Sequence, residues 1–234
     1  MEGNLKLYSK VIGLSKRHEN AGFQNFIVSK DNETQLRICK DWDGSDSIFL
    51  TGNPGTGKTH LAISMLRNYP MQLFSENDAE NNKEQIESYM QRETRDNVKS
   101  HYEKMIADDL WKYRNAVCLF VPLVEMFIEL NESAQKDEGK KKLLDKYATQ
   151  YDCICFDDFG AEKLSEAKRE NFYYIIDKRY RDMRSTIITS NFTIKEINEV
   201  EPRIASRFAE MGRILQFNGN DFRRSMDKNK RNIE

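Results

Sequence analysis

Apolar residues in this chain fall into short runs separated by charged segments of helical period. Ser47–Leu50 (SIFL), Ala116–Val121 (AVCLFV), Tyr151–Phe156, Thr186–Thr189 and Arg213–Phe217 read as five short buried strands. Helices are predicted over Lys58–Asn68, Pro122–Leu130 and Glu166–Met183, and one from Asp31 or Asn32 to Trp42 ahead of the first strand. Strands alternating with helices predict an α/β fold whose mainly parallel sheet is covered on both faces. The first twenty residues, apolar only at Leu5, Leu7, Val11, Ile12 and Leu14, read as a short arm or one short helix. An aromatic-rich stretch, Phe23, Phe26, Ile27 and Val28, then opens a single domain over residues 21–234.

One segment breaks the rhythm. Tyr69–Asn115 is highly charged and lacks glycine, where a short connection is expected. Ile86, Tyr89, Met90, Val98, Tyr102, Met105, Ile106, Leu110 and Tyr113 recur near helical spacing. This predicts one or two long amphipathic helices inserted at about residues 70–115. Their apolar stripe would pack on the domain or bind a partner.

Composition narrows the class. The chain has 234 residues, enough for one full α/β domain, with 38% apolar and 32% charged residues. A net charge of −1 argues against wholesale coating of nucleic acid and leaves room only for local basic patches. No apolar run approaches the roughly 20 residues of a membrane helix, and no apolar leader follows Met1. A soluble cytoplasmic protein without a membrane partner is expected. Cys39, Cys118, Cys153 and Cys155 lack the CxxC spacing of a metal or redox site and read as core thiols.

The chemistry begins after the first strand. Gly52-Asn53-Pro54-Gly55-Thr56-Gly57-Lys58-Thr59 fits GxxxxGK[ST], the phosphate-binding P-loop, and His60 continues into the predicted helix. Glycines let backbone N–H groups approach phosphate oxygens, and the helix N-terminus aims its partial positive charge at them. Lys58 would reach the β- and γ-phosphates of ATP, and the Thr59 hydroxyl would ligate Mg²⁺. A P-loop needs an acidic partner on another strand, and the run ending Phe156-Asp157-Asp158 supplies it. Asp157 would hold Mg²⁺ through its water shell, and Asp158 would polarise the attacking water. Thr186–Asn191 is a strand ending in an amide, so Asn191 would bond both that water and a phosphate oxygen. Arg203 and Arg207, four apart on one helical face, would offer an arginine to a neighbouring subunit's γ-phosphate.

With these motifs the chain resembles the DnaC, DnaI and IstB group of AAA+ ATPases, from about Phe23 to Arg224. The resemblance rests on Gly22–Phe26, Gly52–Ala62 (GNPGTGKTHLA), Phe156–Glu162 (FDDFGAE), Thr189-Ser190-Asn191, Arg203–Phe208 (RIASRF) and Asp221–Arg224. It implies a five-stranded parallel sheet in the order 5-1-4-3-2. It also implies Asn191 as sensor I, Arg207 as the arginine finger and Arg223 as the sensor II arginine. Only a short tail follows the last predicted strand, so no separate helical lid is expected. The chain departs from the group's pattern in three places. Asp158 stands where many AAA+ proteins carry Glu, which implies slow turnover; the N-terminal arm is short; and the insert is extra.

The resemblance implies a helicase loader in DNA replication, an ATP-dependent homo-oligomer that binds single-stranded DNA and a replicative ring helicase. The alternatives are an IstB-like transposition helper serving a transposase and a nucleotide-gated adaptor that hardly hydrolyses. A small-molecule kinase fits the strand-end Asn and paired arginines less well. Candidate DNA contacts are Lys140-Lys141-Lys142, read as a loop, and a basic tail of Arg223, Arg224, Lys228, Lys230 and Arg231.

Overall fold

A computed structural model describes residues 10–73, 75–134, 139–160, 164–219 and 221–222. Its main sheet is built on the five expected strands: β2 (Ser47–Gly52), β5 (Val117–Pro122), β6 (Cys153–Phe159), β7 (Thr186–Ser190) and β8 (Gly212–Phe217). All pairings in it are parallel, and the five run β5-β6-β7-β2-β8, which is the expected 5-1-4-3-2 order.

The sheet has six strands rather than five. Lys10–Ile12 forms β1 at the edge, in register with Val117, Cys118 and Leu119 of β5. The sequence suggested an arm or short helix there. Three residues are too few to show alternation, and this strand is defined by pairing with a partner more than a hundred positions away.

Period-two alternation divides the core. Ile48 and Leu50, Cys118 and Phe120, and Cys153 and Cys155 face one side, against α1 (Glu33–Lys40) and α2 (Lys58–Arg67). Phe49, Leu119 and Val121, and Ile154 and Phe156 face the other. That side is covered by α5 (Leu123–Ser133), α6 (Gly139–Thr149), α7 (Glu166–Arg181), α8 (Ile194–Val200) and α9 (Pro202–Met211). All four cysteines are buried free thiols, and no helix among the described residues is long and apolar enough to cross a membrane.

The insert holds α3 (Glu76–Arg92) and α4 (Asp96–Ala107). Its base is an antiparallel ribbon of β3 (Gln72–Leu73) and β4 (Tyr113–Arg114). Ala79 and Ile86 pack with Met90, Tyr102, Met105 and Ile106 in a small core of their own. The stripe therefore buries largely on itself, not on the domain. Arg114 ties the ribbon to the main sheet by a bidentate pair with Asp152 at 2.7 Å. Lys140–Lys142 lie in the first turn of α6, not in a loop.

At the opposite end of the sheet from the P-loop, Arg179 is fully buried. It donates to the carbonyls of Tyr147, Ala148, Tyr151 and Ser185 and to Thr186 Oγ1. Burial pushes its guanidinium pKa down to about 10. It stitches α6, α7 and the start of β7 together. Arg179→Met would leave several buried carbonyls unpaired, and urea unfolding should show a loss of about 3–5 kcal/mol. A loss below about 1 kcal/mol, the net worth of a single ordinary hydrogen bond, would contradict this role.

Candidate functional site

The P-loop leaves β2 at Gly52, whose φ of 123° lies in the region that disfavours side chains. A Cβ there would sit 2.1 Å from the Phe217 carbonyl oxygen, so β8 packs against the loop only because the residue is glycine. The loop enters α2 through Gly57, at φ 96° and against the Phe26 ring. Residues Pro54–His60 line a cavity of about 630 Å³, and Asp157, Asp158, Thr189 and Asn191 form its far wall.

Lys58 is 7% exposed and donates to Gly52 O (2.7 Å), Asn53 O (2.8 Å) and Asn191 Oδ1 (3.0 Å). The other end of the same amide, Asn191 Nδ2, donates to Asp158 Oδ1 at 3.1 Å. The amide orientation is unambiguous, because an ammonium only donates and a carboxylate only accepts. Asn191 thus joins the P-loop lysine to the second aspartate. Strand order makes this possible, since β7 lies between β2 and β6.

Thr59 Oγ1 donates to Asp157 Oδ1 at 2.9 Å, and Thr189 Oγ1 donates to the same oxygen at 2.6 Å. Burial raises the Asp157 pKa above the ordinary carboxylate value; the bonds from Thr189 and Thr59 oppose that rise, and Asp158 adds to it. A mostly buried carboxylate held by neutral hydroxyls, one of them on the expected ligand Thr59, suits a hard divalent cation such as Mg²⁺. No group of three His, Cys, Asp or Glu that could hold a metal occurs among the described residues. Mg²⁺ commonly takes one or two protein oxygens and fills its shell with water and phosphate.

Asp158 has φ 64°, a left-handed conformation that costs a non-glycine residue about 1–3 kcal/mol. It lies in a bulge: Phe156 pairs with Ile188 and Phe159 with Ser190, so β6 carries one extra residue. The bulge turns the exposed Asp158 carboxylate toward Asn191.

Other expected residues are placed differently. His60 lines the cavity, but its Nε2 is 2.8 Å from Gly22 O and its ring meets Phe26 edge-on at 5.5 Å, which fastens the N-terminal segment to α2. Arg207 does not line the cavity of its own molecule. It pairs with Asp177 (3.1 Å) and Glu210 (3.2 Å), with its guanidinium 4.4 Å over Tyr180. Arg203 pairs with Glu170 and Glu201. Arg223 and the rest of the basic tail lie outside the described residues. Residues to which the sequence reading gave no role also wall the cavity: Arg17, His18, Asn20 and Thr189, the last quoted only as part of the Thr189-Ser190-Asn191 motif.

A family model, the IstB-like ATP binding protein, matches residues 113–229, half of the chain. This chain belongs to the IstB-like ATP-binding protein family. The matched region carries Asp157, Asp158, Asn191 and Arg207, while the P-loop lies ahead of it. The uncharacterized protein YqaM of Bacillus subtilis (strain 168) is 22% identical over 214 residues, 86% of this chain. The chain spans 55%, about half, of YqaM's length. Among solved structures, the DnaC helicase loader superposes with a TM-score of 0.58 at 22% identity, covering 87% of this chain and 100% of that one. The AMPPCP-bound DnaA from Aquifex aeolicus gives 0.59 at 18% identity, covering 92% and 56%. At such identity these structures share the fold: the chain has the P-loop AAA+ architecture.

Asp157 also generates a test. A carboxyl whose folded pKa is raised stabilises the fold below its ordinary pKa, and that stability is lost as pH rises through the raised value. Asp157→Asn should therefore raise the melting temperature of nucleotide-free protein at neutral pH, with no gain in acid. The same variant should lose the Mg²⁺-dependence of ATP binding. A lower melting temperature at neutral pH would contradict the reading.

Proposed function

We propose that this protein is an ATP-hydrolysing switch that loads a ring helicase onto single-stranded DNA in replication, assembling with further copies of itself when ATP is bound. The observation that carries the reading is the continuous chain from Lys58 through Asn191 to Asp158. P-loop amides and the α2 N-terminus hold the triphosphate, and Lys58 exchanges loop carbonyls for phosphate oxygens. Thr59 and Asp157 would hold Mg²⁺, which would neutralise charge on those oxygens. Asp158 orients the attacking water and accepts its proton, and Asn191 relays the loss of the γ-phosphate to β7. An aspartate reaches less far than a glutamate, which supports slow turnover suited to a switch.

Arg207 lies away from its own cavity, which supports donation to a neighbouring molecule's site after release from Asp177 and Glu210. Arg223 would act from the tail, and Lys140–Lys142 on α6 would contact DNA backbone. The family match favours a second reading, a transposition helper that holds DNA for a transposase. The insert, α3 and α4 on their ribbon, is the element that would dock either partner.

Turnover of ATP measured with and without single-stranded DNA tests the switch. Stimulation by DNA supports it, and no hydrolysis in either condition favours a binding-only adaptor. Arg207→Ala should keep ATP affinity within about twofold and lower turnover at least ~10-fold, below the full effect of known arginine fingers because basal turnover is slow. Unchanged turnover would remove Arg207 from the role. Pull-down with ATP against the cognate helicase and the cognate transposase separates the two readings.

A further inference from the structure

We infer that Thr189 is a positioning residue whose single hydroxyl sets both aspartates of the site. The inference deepens the proposed ATPase reading and rests on it for the role of Asp158.

Thr189 is 2% exposed, at the end of β7. A hydroxyl has one proton to give and lone pairs to accept with. The proton goes to Asp157 Oδ1 at 2.6 Å, and a lone pair accepts the Asp158 N–H at 2.9 Å. One atom therefore touches the side chain of one aspartate and the backbone of the next. With Thr59 on the same Oδ1, the two hydroxyls fix the rotation of the Asp157 carboxylate from two sides.

The second bond acts on the bulge. In an unbroken parallel ladder each β6 amide would meet a backbone carbonyl, and the extra residue breaks that pattern at Asp158. Side chains of β7 take over the bonding: Thr189 Oγ1 receives the Asp158 N–H, and Ser190 Oγ donates to Phe159 O at 2.7 Å. Without the hydroxyl, the left-handed backbone at Asp158 loses a bond that holds it. Asn191, two residues further on and just past the end of β7, takes the Asp158 carboxylate. Backbone and side chain of Asp158 are thus both aimed from β7.

The experiment compares Thr189→Val, which keeps the branched shape without the hydroxyl, with Thr189→Ser, which keeps the hydroxyl without the methyl. Two readouts are taken: the tightening of a fluorescent ATP analogue's binding when Mg²⁺ replaces EDTA, and kcat against KM for ATP. Thr189→Val should bind the analogue in EDTA within about twofold of wild type, yet lose Mg²⁺-linked tightening and kcat by about 10-fold or more, the usual effect of losing such an outer partner. Thr189→Ser should keep both. If Thr189→Val does not fold, Thr189→Ala takes its place in the comparison. The inference is overturned if the hydroxyl-free variant keeps the Mg²⁺ effect, or if Thr189→Ser falls as far. If the wild type hydrolyses no ATP under any condition, the ATPase reading fails, and the Mg²⁺-linked binding arm still decides the role of Thr189.

Discussion

A lysine ammonium buried at the mouth of a sheet must give its protons to something, and in this protein that need organises the site. Lys58 gives them to the carbonyls of Gly52 and Asn53 and to the side-chain oxygen of Asn191. These three acceptors are neutral, whereas the oxygens of a triphosphate are charged, and a charged acceptor makes the stronger bond. The loop carbonyls hold the lysine where phosphate will take it. Asn191 makes the exchange felt on a different strand.

That coupling depends on topology. In open parallel sheets, ligands collect at the carboxyl ends of the strands where the order reverses. Here β2 delivers the P-loop, β6 delivers Asp157 and Asp158, and β7 runs between them. The end of β7 therefore faces the lysine on one side and the carboxylates on the other. The bulge in β6 completes the arrangement by turning Asp158 toward the amide instead of along the strand. Its backbone conformation is unfavourable alone and persists because β7 side chains bond on either side of it.

Much of this could be read from residue order. Five strands were visible because apolar runs such as Cys153-Ile154-Cys155-Phe156 are local and strong, whereas their order on the sheet came only with the family resemblance that the P-loop and the other contiguous motifs carry. What escaped depends on distant partners. The three-residue β1 has no pattern of its own and exists through Val117–Leu119. Lys140–Lys142 looked like a loop because a run of charge carries no periodicity, although Leu143, Tyr147 and Ala148 anchor the helix that follows from it. The insert's apolar stripe announced helices but not that they would bury on each other. At the site, the sequence reading picked Lys58, Thr59, Asp157, Asp158 and Asn191, which share one cavity. It named Thr189 only within the Thr189-Ser190-Asn191 motif and gave it no role, because it reads as a β-branched strand residue until its hydroxyl is seen between two aspartates.

The account's central claim is that Lys58 is passed from loop carbonyls to phosphate while Asn191 stays linked to Asp158 or its water. A crystal structure with a non-hydrolysable ATP analogue and Mg²⁺ tests it most directly. The account predicts Lys58 Nζ within hydrogen-bond distance of phosphate oxygens and withdrawn from Gly52 O and Asn53 O. A structure in which nucleotide is bound while Lys58 keeps both carbonyls and touches no phosphate would contradict it.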